Sequence, residues 1–399
     1  MSYKKLFDPT ELEDLRTPGE RESATTGDRR DGKLYVYDDA GEIVLAVNIA
    51  LATGRPLLLS GPSGGGKSSL AQHVARVLGR RYYEFVVTAR TQAQDLTWRF
   101  DAVRRLADAQ VEGRLSAPDS LTSIYPYIEP QALWWIFDRE SARTRRPRKD
   151  DSAEGATELP PAEPSDGGKT HGESPKEPTD PVRWDPRDVD REEEKLPEDP
   201  QLDSCVLLVD EIDKADPDVP NNLLVELGSL QFDVDLIGEP VKFQGKRDDW
   251  KSRPLVMITT NKERPLPQPF VRRCIVLEIP KPKRGLLKSI AAHNFPKREE
   301  DFFDQVLDAV LASHGGGGTT RPPVASRREQ AAAGTVAQDP QHLTGRDEEV
   351  VDVSIAEYVD TLRACTNLKD SAEDLSPELL ADIVKRTVWV VKEKALQPR

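Results

Sequence analysis

Residues 57–70, LLLSGPSGGGKSSL, constrain the fold more tightly than any other part of the 399-residue chain. A short apolar run enters a turn with glycines at 61, 64, 65 and 66, and the turn leaves into a segment of helical spacing. Glycine lets a backbone curl until successive N–H groups face one concavity, and a helix that starts there adds the positive end of its dipole. Two patterns fit. Residues 61–65 match G-x-S-x-G, the elbow that exposes a hydrolase serine, and residues 61–68 match G-x-x-x-x-G-K-[ST], a phosphate loop. The first makes Ser63 a nucleophile and requires an acid and then a histidine downstream. His171 and His342 fall in linker-like sequence, His293 and His314 in helical segments outside the strand region, and Lys67 and Ser68 would have no task. The second uses both: Lys67 reaches the β- and γ-phosphates and Ser68 holds Mg²⁺. Gly61, Pro62, Ser63, Gly64, Gly65, Gly66 and Ser69 complete that loop, so Ser63 is a loop residue.

The flanking sequence supplies the context that a phosphate loop needs. RPLLLSG (55–61) is an apolar run bounded by turn residues, as a buried strand is. SSLAQHVARVLG (68–79) repeats apolar residues at 70, 71, 74, 77 and 78, and RYYEFVVTA (81–89) has strand composition. Strand, loop, helix and strand make a βαβ unit with a parallel sheet. A helix over 42–54, ending on Gly54, precedes it, and 90–110 reads as a helix after it. Further along, CVLLVDE (205–211), PLVMITTN (254–261) and CIVLEIP (274–280) read as buried strands. VPNNLLVELGSL (219–230) reads as a helix, and 231–244 alternates around Gly238 as a hairpin. Helices are expected at 284–295 and 299–314; Ser354 to Glu357 forms a capping box, and Ser376-Pro377 opens a last helix.

Composition separates core from linker. Hydrophobic residues are 37% of the chain and charged residues 32%, with 32 prolines, so part of the length cannot bury enough apolar surface to order itself. Residues 1–33 are expected to be a loose tail, 142–203 a disordered acidic and proline-rich insertion, and 315–350 a flexible linker. The basic stretch ARTRRPRK (142–149) runs straight into acids and reads as a solvated linker boundary. A net charge of −14 argues against broad nucleic-acid binding, and no apolar run has the length of a membrane span. Three scattered cysteines without C-x-x-C suit a reduced, cytoplasmic setting. YPYIEPQALWWIFD (125–138) is either a partner-binding aromatic patch or packing for the helical insert.

A nucleotide site needs a second half, an acid at the end of a neighbouring apolar strand. In CVLLVDE, Asp210 follows four apolar residues and would hold Mg²⁺ through water, while Glu211 would orient and polarise the attacking water. At this point the chain resembles the AAA+ ATPases, whose motif order is matched by GPSGGGKSS (Walker A), VLLVDEIDKA (Walker B), MITTN (sensor 1) and PFVRRC (arginine finger). NKERPLPQPFVRRCIVLEIP is similar to the MoxR branch. The resemblance implies an α/β P-loop NTPase fold: a parallel-sheet domain over 34–141 and 204–281, then a small α-helical lid over 282–314 and 351–399, with the long disordered insertions between. It implies Asn261 as sensor 1, positioning the water, and Arg273, with Arg272 as the near alternative, as a finger on the next subunit's nucleotide. The other reading of that pair is a solvated basic surface at a strand start. The sensor-2 cation usual in the family is unassigned, because the approach DEEVVDVSIAEY is acidic and Arg363 lies too deep in its helix.

The expected function is therefore a MoxR-like ATPase, with ATP and Mg²⁺ as its ligands. It would work in a homo-oligomeric ring such as a hexamer and remodel or activate a protein client; the resemblance suggests one with a von Willebrand A domain. The alternative is a nucleotide-gated regulatory or scaffold protein with little turnover. A DNA motor is disfavoured by the acidic balance.

Overall fold

The computed structural model describes residues 5–9, 35–37, 40–115, 123–148, 182–184, 204–315 and 347–370. The chain divides into two units. The first takes 1–32, 46–58 and 71–276; the second takes 33–45, 59–70 and 277–399.

One six-stranded sheet runs in the order β10 (Ile275–Glu278), β1 (Leu57–Ser60), β9 (Leu255–Thr260), β6 (Cys205–Asp210), β2 (Arg81–Val86) and β5 (Val182–Trp184). Its first five strands are parallel. β2 pairs with β6 from Arg81↔Cys205 to Val86↔Asp210, and β6 with β9 from Val206↔Leu255 to Val209↔Ile258. Between β1 and β10 the bonds Ile275 N–H to Pro56 O and Ile279 N–H to Ser60 O climb both chains together. Helices on both faces leave no solvated side, which is why CVLLV and LVMI are apolar throughout instead of alternating, and why Thr259 and Thr260 are buried as well. The flanking helices include α1 (Ala40–Thr53) and α2 (Lys67–Val77), which starts at the motif lysine. The parallel α/β sheet with flanking helices expected from the motifs is the fold observed.

Four segments differ in detail from the sequence expectation. Within 142–203, Val182–Trp184 forms a strand, antiparallel to β2 with Tyr82↔Trp184 and Tyr83↔Val182; three residues between prolines are too few to show a period. The region read as one helix over 90–110 is a 3₁₀ turn at Ala93–Leu96, strand β3 (Trp98–Phe100) and helix α3 (Ala102–Leu115). β3 pairs with β4 (Ile128–Pro130), Trp98 opposite Pro130 and Phe100 opposite Ile128, and Trp98 and Ile128 are buried there, a cross-strand pairing that helical counting overlooks. Inside the expected tail, Phe7 is buried, and Asn48 accepts the N–H groups of Leu6 and Phe7 and donates to the Phe7 carbonyl. The described part of the expected linker boundary, 142–148, is also structured. Arg145 donates to the Pro126 carbonyl at 2.6 Å, Arg146 lies over the Tyr125 ring, and Arg148 pairs with Asp138 at 3.0 Å.

The aromatic segment is packing. Helix α4 (Ala132–Phe137) is buried on every side chain and followed by α5 (Arg139–Thr144). Trp134 stacks edge-on to Phe232 of the hairpin β7 (Gln231–Val234) and β8 (Glu239–Lys242), which turns at Gly238, and its indole donates to Ser141 at 2.6 Å. Between β6 and that hairpin runs α6 (Asp218–Ser229), and α7 (Gln268–Arg273) leads into β10.

In the second unit, α8 (Arg284–Asn294), α9 (Glu300–Gly315) and α10 (Ile355–Asp370) share one apolar core, with Tyr358 fully buried and donating to the Phe303 carbonyl. Ser354 caps α10, its hydroxyl accepting the Glu357 N–H at 3.1 Å. No helix among the described residues is long and apolar enough to cross a membrane. The Ser376-Pro377 helix start, His171 and His342, and most of the expected tail, insertion and linker lie outside the described residues.

Candidate functional site

The phosphate loop belongs to the second unit. Gly61 has φ +155°, and a Cβ there would stand 2.3 Å from the Ile279 carbonyl oxygen. Gly64 has φ +71°, and a Cβ there would meet the Ser354 side chain at 2.8 Å. Neither position accepts a side chain. Gly65 N–H closes a turn on Pro62 O at 3.3 Å, and Leu70 N–H reaches Gly66 O at 2.9 Å, so helix α2 grows directly from the loop. Lys67 is buried, and its ammonium donates inward to the carbonyls of Gly61 at 2.9 Å and Pro62 at 2.7 Å. Ser63 is exposed at the crest, and Ser68 and Ser69 are half-buried in the first turn of the helix.

Sequence reasoning overlooked the neighbours of this loop. The Tyr35 ring stands against Gly66, where a side chain would come within 3.6 Å of it, and Tyr35 packs edge-on with Tyr37 at 5.0 Å. Burial pushes the Tyr35 hydroxyl up to about 12. Tyr37 in turn lines a recess of about 190 Å³ with Val36, Lys283, Leu286 and Ser289, rimmed by Asp347 and Glu348. The YVY signal at 35–37 was visible as an aromatic pair, but nothing in its spacing tied it to a loop thirty residues on. At the start of α10, where a basic residue would be sought, Ser354, Ile355 and Ala356 lie next to Gly64 and Gly66.

The acidic half belongs to the first unit and is assembled at the ends of β6 and β9. Asp210 ends β6, and Glu211 follows in the left-handed region at φ +61°, ψ +46°, uncommon for a residue with a side chain. Thr259, fully buried on β9, explains how that conformation is held: its hydroxyl accepts the Glu211 N–H at 2.8 Å and donates to the Asp210 carboxylate. The turn carries the Glu211 side chain to Asn261, whose amide lies 3.4 Å from Oε1, and to Lys214, which binds Oε2. The hydrogen bond to Glu211 holds the Lys214 ammonium above its ordinary range. Behind them Asp213 is buried and accepts main-chain N–H groups from Asn261 and Glu263. Asp210, Glu211 and Asn261, named from the sequence, are thus brought together; Thr259, Asp213 and Lys214 were not singled out. Thr259 lies within MITTN, and both others within DEIDK.

Arg272 and Arg273 end α7 with exposed side chains that have no partner among the described residues. No group of three or more metal-ligating side chains occurs among the described residues.

Residues 56–116 match the family model of the AAA domain, dynein-related subfamily. No curated protein matches. Among solved structures, a protein of Cytophaga hutchinsonii regarded as an ATPase aligns at 10% identity and a TM-score of 0.35, over 94% of this chain and 86% of that one. PCH-2 of C. elegans aligns at 11% identity and a TM-score of 0.34, over 90% and 70%. Both likenesses are too loose to carry an argument about activity.

Proposed function

We propose that this chain, with its AAA+ fold and an AAA domain at 56–116, binds ATP with Mg²⁺ and hydrolyses it as a MoxR-like oligomer that remodels or activates a partner protein. The observation that carries the reading is the loop at 61–68: main chain that excludes side chains, a buried ammonium turned into it, and a helix beginning at that ammonium. In this reading Lys67 exchanges its two carbonyl partners for phosphate oxygens, a charge-assisted contact of higher strength. The recess beside Tyr37 takes the base, with the Tyr35–Tyr37 pair joining it to the loop. Ser68 and Asp210 offer a hydroxyl and a carboxylate, the hard oxygen donors that Mg²⁺ takes. Held there, Mg²⁺ would supply positive charge to offset the negative charge of the phosphates. Glu211 accepts a proton from the attacking water, and Asn261 holds that carboxylate and the water in line. Arg273, or Arg272 next to it, serves the nucleotide of the neighbouring subunit in a ring such as a hexamer.

The client is proposed to be a protein, a von Willebrand A domain being the type that the MoxR resemblance suggests, and the setting to be the cytoplasm. The MoxR assignment rests on the LPQPFVRRC run (266–274). A second reading, a nucleotide-gated scaffold with little turnover, is favoured by one observation: the residues at the start of α10 that stand against Gly64 and Gly66 are Ser354, Ile355 and Ala356, all uncharged.

Steady-state ATPase measured against protein concentration separates the two. Specific activity that rises as subunits assemble supports the motor. In the same assay Lys67→Ala abolishes nucleotide binding, while Glu211→Gln binds ATP, stays assembled and turns over about 10²–10⁴-fold more slowly. A Gln variant with normal turnover removes Glu211 from the role of base.

A further inference from the structure

We infer that Arg55 is a positioning residue for the Arg272–Arg273 pair, and that its loss is felt at the nucleotide of the neighbouring subunit. The inference rests on the reading of that pair as a finger acting in trans. Helix α7 is six residues long and ends at the pair, so its last carbonyls have no partner within the helix. Arg55 supplies one from outside: Nε donates to the Arg273 carbonyl at 3.0 Å, and Nη2 donates to the carbonyls of Arg272 and, at 3.2 Å, Cys274. A guanidinium is suited to this, because its flat fork serves several acceptors at once and its charge complements the negative end of a helix. The next residue continues the clamp, Pro56 O accepting the N–H of Ile275, the first residue of β10. Arg55 and Pro56 therefore fasten three consecutive carbonyls and the amide that follows them.

That clamp determines where the two arginines are aimed. Their side chains are exposed, and among the described residues nothing at the guanidinium ends holds the segment in place. Their direction follows from the backbone at 272–274, which Arg55 holds on one side while Phe270, fully buried, anchors the preceding turn. A staple that merely stiffens its own domain would leave a different signature from one that aims a group across a subunit boundary, and mixing experiments tell the two apart.

The test uses the full chain as Arg55→Ala, Arg55→Lys, Glu211→Gln and the double variant Arg272→Ala/Arg273→Ala, with ATPase measured for each alone and in equal mixtures with Glu211→Gln. Arg55→Ala alone should lose about 10–100-fold in kcat, as a misplaced catalytic group does, with nucleotide affinity little changed. Mixed with Glu211→Gln it should recover. A Glu211→Gln subunit lends a correctly held finger and an Arg55→Ala subunit keeps its own Glu211, so about a quarter of the head-to-tail interfaces in a random ring are complete. Arg55→Lys should lose less and recover in the same way; it carries the test if Arg55→Ala fails to assemble. Should the double variant keep its turnover, or fail to recover with Glu211→Gln, the trans finger itself is wrong. Should the double variant recover while the Arg55 variants either lose nothing or are not rescued, the finger stands and the role of Arg55 is overturned.

Discussion

The main-chain N–H of Asn261 donates to the buried carboxylate of Asp213 across 3.2 Å, joining the end of β9 to the turn that follows β6. The same oxygen, Oδ2, takes the Glu263 N–H at 2.8 Å, and Oδ1 has no partner among the described residues. One side chain thus sets how the proposed sensor amide stands relative to Glu211. Asp213→Ala leaves two N–H groups unsatisfied at about 1–3 kcal/mol each, so the melting temperature should fall. Turnover should fall about 10-fold or more while nucleotide affinity holds, because the displaced group acts on the reaction and not on binding. Paired kcat and Kd measurements check this; a parallel loss of both would mean the whole strand end has collapsed.

Gly61→Ala tests the loop without touching a charge. The added methyl carbon would lie 2.3 Å from a main-chain oxygen, which cannot move aside as a flexible side chain does. The loop must open, and titration with a fluorescent ATP analogue should show affinity reduced about 10-fold or more, as expected where a compact residue is required by backbone approach. Retention of wild-type affinity would show that the loop's conformation is not needed for binding.

The lid should weaken in acid. Arg284, itself buried, binds Asp304 and Asp308 at 2.7 Å each, and Lys288 reaches Asp304 at 3.2 Å. Burial pushes the Asp304 carboxyl up, but its bonds from Arg284 and Lys288 outweigh this and hold it below its ordinary value of 3.8. A depressed carboxyl binds protons less well folded than unfolded. Its stabilisation is therefore present above the unfolded value and is lost as pH falls through the folded one. Thermal melts from pH 6 to pH 3 should show an acid loss that Asp304→Asn flattens, on the order of 1 kcal/mol given the part-exposed acids.

Trp134→Ala should cost about 3–5 kcal/mol by emptying the volume between α4 and the β7–β8 hairpin. Denaturant midpoints measure it. An unchanged midpoint would return the aromatic segment to the role of a binding surface.

Much of this could be read from order and spacing alone, and for a definite reason. LLLS before a glycine turn, KSSLAQHVARV after it, and the apolar runs ending in Asp210 and Thr260 are signals carried by neighbouring residues, because strands buried on both faces and helices buried on one leave local periods. Those periods gave the parallel sheet, the phosphate loop and the acid pair. What only the tertiary structure decided involves partners far apart in the chain: Thr259 holding Glu211 in its unusual turn, Asp213 beneath Asn261, Arg55 on the carbonyls 217–219 positions later, Tyr35 against Gly66, and Val182–Trp184 completing the sheet. Each is one hydrogen bond, one contact or three residues of pairing. None repeats, so none leaves a period, and their free energy appears only when the chain closes the long loops between them.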